Sequence, residues 1–173
     1  MVERRSTNSP VHVVQQSKRT SNGLNQISGY AAVFNEEYVM FEDSGYRIVE
    51  VIAPGAFSDV LGNDVRCLFN HAQDNVLGRT ENGTLRMTED SRGLRFTNAL
   101  NRQTPIGESV YQFVNRGDVS GCSFAFIVAE DAWAEARQAD GRTRVQRTIT
   151  KIKTLFDVGP VTYPAYEQTS VSA

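Results

Sequence analysis

The sequence predicts an α+β fold, in which a mainly antiparallel, barrel-like sheet is accompanied by a few surrounding helices. Several segments alternate apolar and polar residues with a period of two, as half-buried strands do, and the clearest helical spacing occurs in one segment. Clusters of turn-forming residues separate these segments. Many strands with few helices favour a closed or strongly curved antiparallel sheet.

The composition is that of an ordinary globular domain. The chain has 173 residues, of which 40% are hydrophobic and 22% are charged, so it can bury one core. The net charge of −2 argues against a dedicated nucleic-acid binder. No apolar run approaches the roughly 20 residues that span a bilayer, and the N-terminus lacks the apolar core of a signal peptide. We therefore expect a cytosolic protein without a membrane partner.

Cysteine and histidine are too rare and too scattered to form a disulfide framework or a zinc site of Cys/His type. The cysteines are Cys67 and Cys122, and the histidines are His12 and His71. We expect no metal and no organic cofactor.

Residues 1–22 are polar, and we interpret them as an N-terminal arm before one domain over residues 23–173. The valines at positions 11, 13 and 14 could form a short strand within the arm. In the domain, period-two alternation or short apolar runs predict strands over residues 28–34, 47–52, 65–69, 119–129 and 143–158. Residues 83–100 predict two strands joined by a turn around Asp90 to Gly93.

The segment from Thr104 to Gly117 predicts the clearest helix. Thr104 can cap its N-terminus, Pro105 fits its first turn, and Gly117 fits the position just past its end. Pro54 could open a second, short helix over residues 53–61.

Three other segments predict irregular structure. Residues 35–46 are acidic and predict a loop, and residues 130–142 are charged and alanine-rich and predict a helical excursion or a flexible loop. Residues 159–171 contain two prolines and predict an irregular return across the sheet.

Two of the predicted strands carry residues that could do chemistry. His71 follows the strand over residues 65–69, and histidine has a pKa near neutrality, so it is a candidate general base. Ser123 lies among aromatic residues and becomes a nucleophile only if a base removes its proton. Cys122 is a rival nucleophile. Because neighbours on a strand face opposite sides, only one of Cys122 and Ser123 can face His71. Each of these residues could also be purely structural.

Six pieces of the chain, in order, resemble a known family. They are "GYAAVFN", "EVIAPGAFSDVL", "LFNHAQDNVLGRT", "GTLRMTEDSRGLRF", "GDVSGCSFAFIV" and "FDVGPVTYPAYEQTSV", and they extend from about Gly29 to Val171. The chain resembles the prohead (capsid maturation) proteases of tailed bacteriophages, which are serine proteases related in fold to herpesvirus assemblin. The resemblance implies an assemblin-like barrel over residues 23–173.

The resemblance also implies three catalytic residues. His71 would be the base, Ser123 the nucleophile, and Asp157 the carboxylate that orients the histidine. The family more often has glutamate at the last position, and it has serine where this chain has Gly159. Aspartate is shorter by one methylene, which makes its reach to His71 an open question.

Several alternatives stay open at this point. Asp74 or Glu50 could orient the histidine in place of Asp157. The chain could be a non-catalytic capsid assembly or scaffolding protein that retains the protease fold, because a fold does not guarantee its chemistry. It could also be a cysteine hydrolase that uses Cys122.

The function implied by the resemblance is endopeptidase cleavage during procapsid maturation. Such an enzyme cuts the scaffold protein or the scaffold-like segment of the major capsid protein, and then itself. It works in the host cell cytoplasm, inside the assembling procapsid, and relatives of the fold can self-associate. The arm and residues 129–142 are candidate regions for self-cleavage or for docking of a partner.

Overall fold

The computed structural model describes residues 1–7, 11–14 and 24–163, and in these residues it has eleven strands and one helix. The elements, in chain order, are β1 (Glu3–Thr7), β2 (His12–Val14), β3 (Leu24–Val33), β4 (Tyr38–Glu42), β5 (Tyr46–Ile52), β6 (Arg66–Leu68), β7 (Val76–Arg79), β8 (Leu85–Glu89), β9 (Gly93–Asn101), α1 (Pro105–Arg116), β10 (Gly121–Arg137) and β11 (Thr143–Val161).

The strands form two sheets. The first sheet has the order β1-β10-β11-β5-β4, and β6 joins it by pairing with β11 and with β7. Strand β11 is antiparallel to β10, whereas it is parallel to β5 along its first part and to β6 near its end. The second sheet has the order β2-β3-β9-β8, and all of its pairs are antiparallel.

The predominance of strands agrees with the prediction, but the barrel and the several helices are not confirmed. The described residues form two sheets without a closed barrel, and they include a single helix. The first sheet is also mixed rather than antiparallel. The reason is that β11 is long enough to pair with two strands in succession, and both β5 and β6 run parallel to it.

The core lies between the two sheets and contains an aromatic cluster. The ring of Phe124 lies 4.7 Å from that of Phe126 and 5.7 Å from that of Phe57. Strand β3 crosses close to β10 at Gly29, where an added Cβ atom would lie only 2.7 Å from the sulfur of Cys122. The Cys122 side of β10 therefore faces the core, and the neighbouring side chains point the other way.

The helix confirms the prediction made from its two ends. The hydroxyl of Thr104 accepts a hydrogen bond from the N–H of Gly107, and Gly117 ends the helix with a φ of 83°. Val110 and Val114 are buried, and α1 packs against β2 and β9 of the second sheet.

Strands β1, β4 and β7 lie in segments where the sequence predicted none, and β2 lies at the valines that could form a short strand. Within the predicted arm, β1 pairs with β10 and β2 pairs with β3. Within the predicted loop over residues 35–46, β4 pairs with β5. Neither β1 nor β4 shows a clear apolar alternation, because both lie at edges, where none of their described side chains is buried. The division of the chain at residue 22 stays a prediction.

Two helix predictions were wrong. Residues 53–61 form successive turns, and Gly55 has a φ of 89°, which a continuous right-handed helix does not allow. Residues 130–137 continue β10. The chain then turns at residues 138–142 and returns as β11, which pairs with β10. The helical propensity of alanine and glutamate is a weak preference, and pairing with β11 outweighs it. Most of the predicted return over residues 159–171 lies outside the described residues.

We expect Gly159→Ala to lower the free energy of unfolding by about 1–3 kcal/mol, the usual cost of overpacking. A Cβ atom at this position would lie 2.1 Å from the carbonyl oxygen of Leu68, so β6 and β11 would have to move apart. Denaturant unfolding measures the change. The control is Gly62→Ala, where a Cβ atom has open space around it. Equal stability of the two variants would contradict the close approach of β6 and β11.

Candidate active site

The three residues singled out by the sequence lie in one hydrogen-bonded row. An oxygen of the Asp157 carboxylate lies 2.6 Å from Nδ1 of His71. The hydroxyl oxygen of Ser123 lies 2.7 Å from Nε2 of the same ring. An ionised carboxylate only accepts hydrogen bonds, so this arrangement places a proton on Nδ1 and leaves Nε2 free to accept the proton of the hydroxyl.

The pairing of β10 with β11 places two of these side chains on one face of the sheet. Ser123 lies opposite Gly159, and Ala125 lies opposite Asp157. Directly opposite residues share a face, and so do residues two apart on one strand, so Ser123 and Asp157 point to the same side. Strand β6 pairs with β11 at Arg66, opposite Asp157, and this pairing brings the end of β6 to the site.

A left-handed turn, and not the alternation of strand β6, places the His71 side chain in the row. Strand β6 ends at Leu68, and both Asn70 and His71 have positive φ values, 57° and 56°. The alternation of residues 65–69 therefore does not extend to His71, and the turn sets the direction of its side chain. Asparagine is among the residues that tolerate this conformation best, which explains its place before the histidine.

Asn70 ties this turn to the end of β11, a role that the sequence analysis missed. Its side-chain amide donates to the hydroxyl of Thr162, and its carbonyl oxygen accepts from the backbone N–H of Thr162, at 3.0 and 2.7 Å. Its own backbone N–H donates to the carbonyl of Pro160. The asparagine immediately before the histidine was the available signal.

The row is largely shielded from solvent. Ser123 is 1% exposed and Asp157 is 6% exposed, and the side chain of His71 is 15% exposed. The hydroxyl of Ser123 donates a hydrogen bond of 2.8 Å to the carbonyl oxygen of Arg5 on β1, so a segment of the chain itself covers the serine.

The two rival carboxylates lie elsewhere. Asp74 is exposed on the surface, although it follows His71 closely in the sequence. Glu50 is buried on β5, where its carboxylate accepts hydrogen bonds from Arg5 and Arg147. Asp157 is the carboxylate that contacts the His71 ring, and its shorter side chain spans the distance.

The structure argues against Cys122 as a nucleophile. Cys122 is fully buried on the core side of β10, the opposite side from Ser123. Burial raises the pKa of the Cys122 thiol to about 12, so the thiolate that would react is not formed near neutral pH. Both observations disfavour the alternative of a cysteine hydrolase that uses Cys122.

Among the described residues, the structure contains no helix whose length and hydropathy would let it span a bilayer. Within the same ranges, no three histidine, cysteine, aspartate or glutamate side chains are grouped so that they could hold a metal ion.

Comparison with known protein families decides the class of the molecule. A family model described as caudovirus prohead serine protease matches residues 12–173, nearly the whole chain. The chain belongs to the caudovirus prohead serine protease family. Comparisons with curated proteins and with solved structures found no match. Family membership confirms the resemblance noted in the sequence, and the protease acts in phage capsid maturation, within the assembling procapsid in the host.

We expect the Cys122 thiol of this protease to resist alkylation by iodoacetamide at pH 8 while the chain is folded. The thiol is buried and its raised pKa keeps it protonated well above that pH. Intact mass spectrometry of the native and the urea-unfolded protein measures the modification, and the unfolded chain serves as the reactive control. Rapid labelling of Cys122 in the native protein would contradict its burial.

We expect Asn70→Ala to lower the free energy of unfolding by about 1–3 kcal/mol, because two side-chain hydrogen bonds are lost. Alanine also tolerates the left-handed backbone less well than asparagine does. The control is Asn70→Gly, which loses the same hydrogen bonds but adopts a positive φ without strain. Denaturant unfolding separates the two contributions. An alanine variant as stable as the parent would show that the turn does not depend on Asn70.

Proposed function

We propose that this chain is a serine endopeptidase of procapsid maturation in which Ser123 is the nucleophile, His71 the general base and Asp157 the orienting carboxylate. The observation that carries the proposal is the row Asp157–His71–Ser123, with contacts of 2.6 and 2.7 Å. Membership of a serine protease family supports the same assignment.

In the proposed reaction, Nε2 of His71 removes the hydroxyl proton of Ser123 as the oxygen attacks a peptide carbonyl carbon. The amine leaves with the proton returned by His71, and an acyl-enzyme remains. Water, deprotonated by His71, then hydrolyses the ester and regenerates the serine. Asp157 holds the ring in the required tautomer and stabilises the imidazolium that forms.

The surroundings of the row suit this chemistry. Few water molecules can compete for these groups, because all three side chains are largely buried, and electrostatic interactions are stronger in such a site than in water. The residue opposite Ser123 is Gly159, which places no side chain beside the hydroxyl. The space that a side chain would take there is filled by the carbonyl oxygen of Leu68, at the end of the strand that leads to His71.

We infer that the substrates are the scaffold protein, or the scaffold-like segment of the major capsid protein, and the protease itself. Family membership supports capsid-related substrates. A non-catalytic assembly protein that retained the fold would have no need of an intact nucleophile, base and carboxylate in contact.

We expect Ser123→Ala to abolish cleavage and Asp157→Asn to slow it by about 10⁴-fold, the loss found when a triad aspartate cannot hold the histidine tautomer. Each variant is co-expressed with the capsid and scaffold proteins of the same phage, and intact mass spectrometry follows the fragments over time. Ser120→Ala, an exposed serine three residues earlier, is the matched control and should cleave like the parent.

Two outcomes of this experiment would contradict the proposal. Cleavage by Ser123→Ala at the parent's rate would mean that another residue is the nucleophile. Intact capsid and scaffold proteins in every sample, with procapsids assembled, would favour the non-catalytic scaffolding protein.

A further inference from the structure

Strand β1 lies directly against the strand that carries Ser123. The two strands are antiparallel, with Arg5 opposite Phe124 and Ser6 opposite Ser123. The hydroxyl oxygen of Ser123 lies 2.8 Å from the carbonyl oxygen of Arg5. The hydroxyl donates a hydrogen bond to this oxygen, so the proposed nucleophile lies beside the carbonyl group of one particular peptide bond, the bond between Arg5 and Ser6.

The side chain of Arg5 enters a pocket built for a guanidinium group. Its Nε donates to one oxygen of Glu50 at 2.7 Å, and its Nη2 donates to the other oxygen at 3.0 Å. Glu50 is 1% exposed. The guanidinium carbon lies 5.1 Å from the centre of the Tyr38 ring and 5.8 Å from that of Phe126. A two-point contact with a carboxylate and aromatic ring faces favour arginine over other side chains.

The charges around the pocket also favour a cation. Without β1, the pocket holds the carboxylates of Glu50 and Asp131 against the single guanidinium of Arg147. An arginine from a bound strand would complete the pairing, whereas an acidic side chain would be repelled. Glu3, two residues before Arg5, bonds both Arg5 and Arg147, so the charges of β1 complement those of the pocket.

We propose that residues 3–7 occupy the substrate position of the protease, that Glu50 is the base of a pocket selecting arginine before the cleaved bond, and that the protease cuts its own chain between Arg5 and Ser6. The proposal rests on the proposed function, since the cut requires Ser123 and His71 to act as described above. Glu50 determines specificity and takes no part in bond breaking.

The step balances without any added reactant except water. The oxygen of Ser123 bonds to the carbonyl carbon of Arg5, and the hydroxyl proton passes to Nε2 of His71. The bond from that carbon to the nitrogen of Ser6 breaks, and the nitrogen takes the proton. Water then splits the ester, which leaves Arg5 with a free carboxylate and restores Ser123.

This geometry makes the protease latent until the first cut. While β1 lies on β10, no other peptide can occupy the same edge beside Ser123. Cleavage frees the segment that ends at Arg5, and the emptied pocket then accepts an arginine of another protein. The cuts in capsid substrates are accordingly expected to follow arginine.

The test follows the full chain from the start of expression by intact mass and N-terminal sequencing. We expect the parent to convert to a species that begins at Ser6, and Ser123→Ala to remain whole. Arg5→Gln should cut at least tenfold more slowly. Arg4→Gln, which alters the adjacent and exposed arginine, is the matched control and should cut at the parent's rate. Thermal unfolding of each variant shows that it is folded.

Glu50→Gln tests the other side of the pocket. It should also slow the cut at least tenfold, because the ring contacts remain but the charge is lost. Glu50 is buried, so this variant could fail to fold. The Arg5 and Arg4 variants are sufficient to test the arginine pocket without it. A cut of the Arg5→Gln chain at the parent's rate would overturn the arginine pocket.

Mapping the cuts in co-expressed capsid and scaffold proteins separates failure of this proposal from failure of the proposed function. Cuts that depend on Ser123 but do not follow arginine, with the bond between Arg5 and Ser6 intact, would overturn the substrate strand and leave the serine protease standing. If no cut of any protein depended on Ser123, the proposed function itself would fall, and this proposal with it.

Discussion

The antiparallel pairing of β10 with β11 is the interaction on which the rest of the structure depends. These two strands are the longest in the described chain, with 17 and 19 residues. Their register puts Ser123 and Asp157 on one face and leaves Cys122 on the core side. The remaining edge of β11 pairs with β5 and β6, and that of β10 pairs with β1. Every group of the site is placed relative to this pair.

The histidine is the one member of the row that does not lie on this pair of strands. It is held by a short left-handed turn, and Asn70 fastens that turn to the end of β11. A side chain that must move protons needs a defined ring orientation, because a small rotation breaks the contacts of both ring nitrogens. The contact with Asp157 orients the ring, and the hydrogen bond between Asn70 and Thr162 holds the turn that carries it.

The carboxylate of Glu50 is buried, and burying a charged group costs free energy unless the group is paired. An ion without a partner in such a position would be strongly destabilising, and Glu50 contacts two arginines. Arg147 lies on β11, directly opposite Glu50 on the neighbouring strand β5, whereas Arg5 is contributed by β1. The pocket thus keeps one internal partner and can accept a second from a bound strand.

The sequence by itself determined the local features and pointed to the three residues of the proposed site. Alternation separated Ser123 from Cys122, the two ends of α1 followed from Thr104 and Gly117, and the family motifs pointed to His71 and Asp157. These features depend on periodicity, capping and short motifs, which neighbouring residues encode.

Only the tertiary structure decided what the strands pair with. The positions of β1 and β4, the hairpin over residues 130–142 and the open, mixed sheet all depend on pairing between segments far apart in the chain. The pocket for Arg5 joins residues 45 positions apart, and no periodic pattern marks it. Edge strands bury few side chains, so their residues carry little of the alternation from which strands are predicted. The choice of partner is made by burial and hydrogen bonding over the whole molecule.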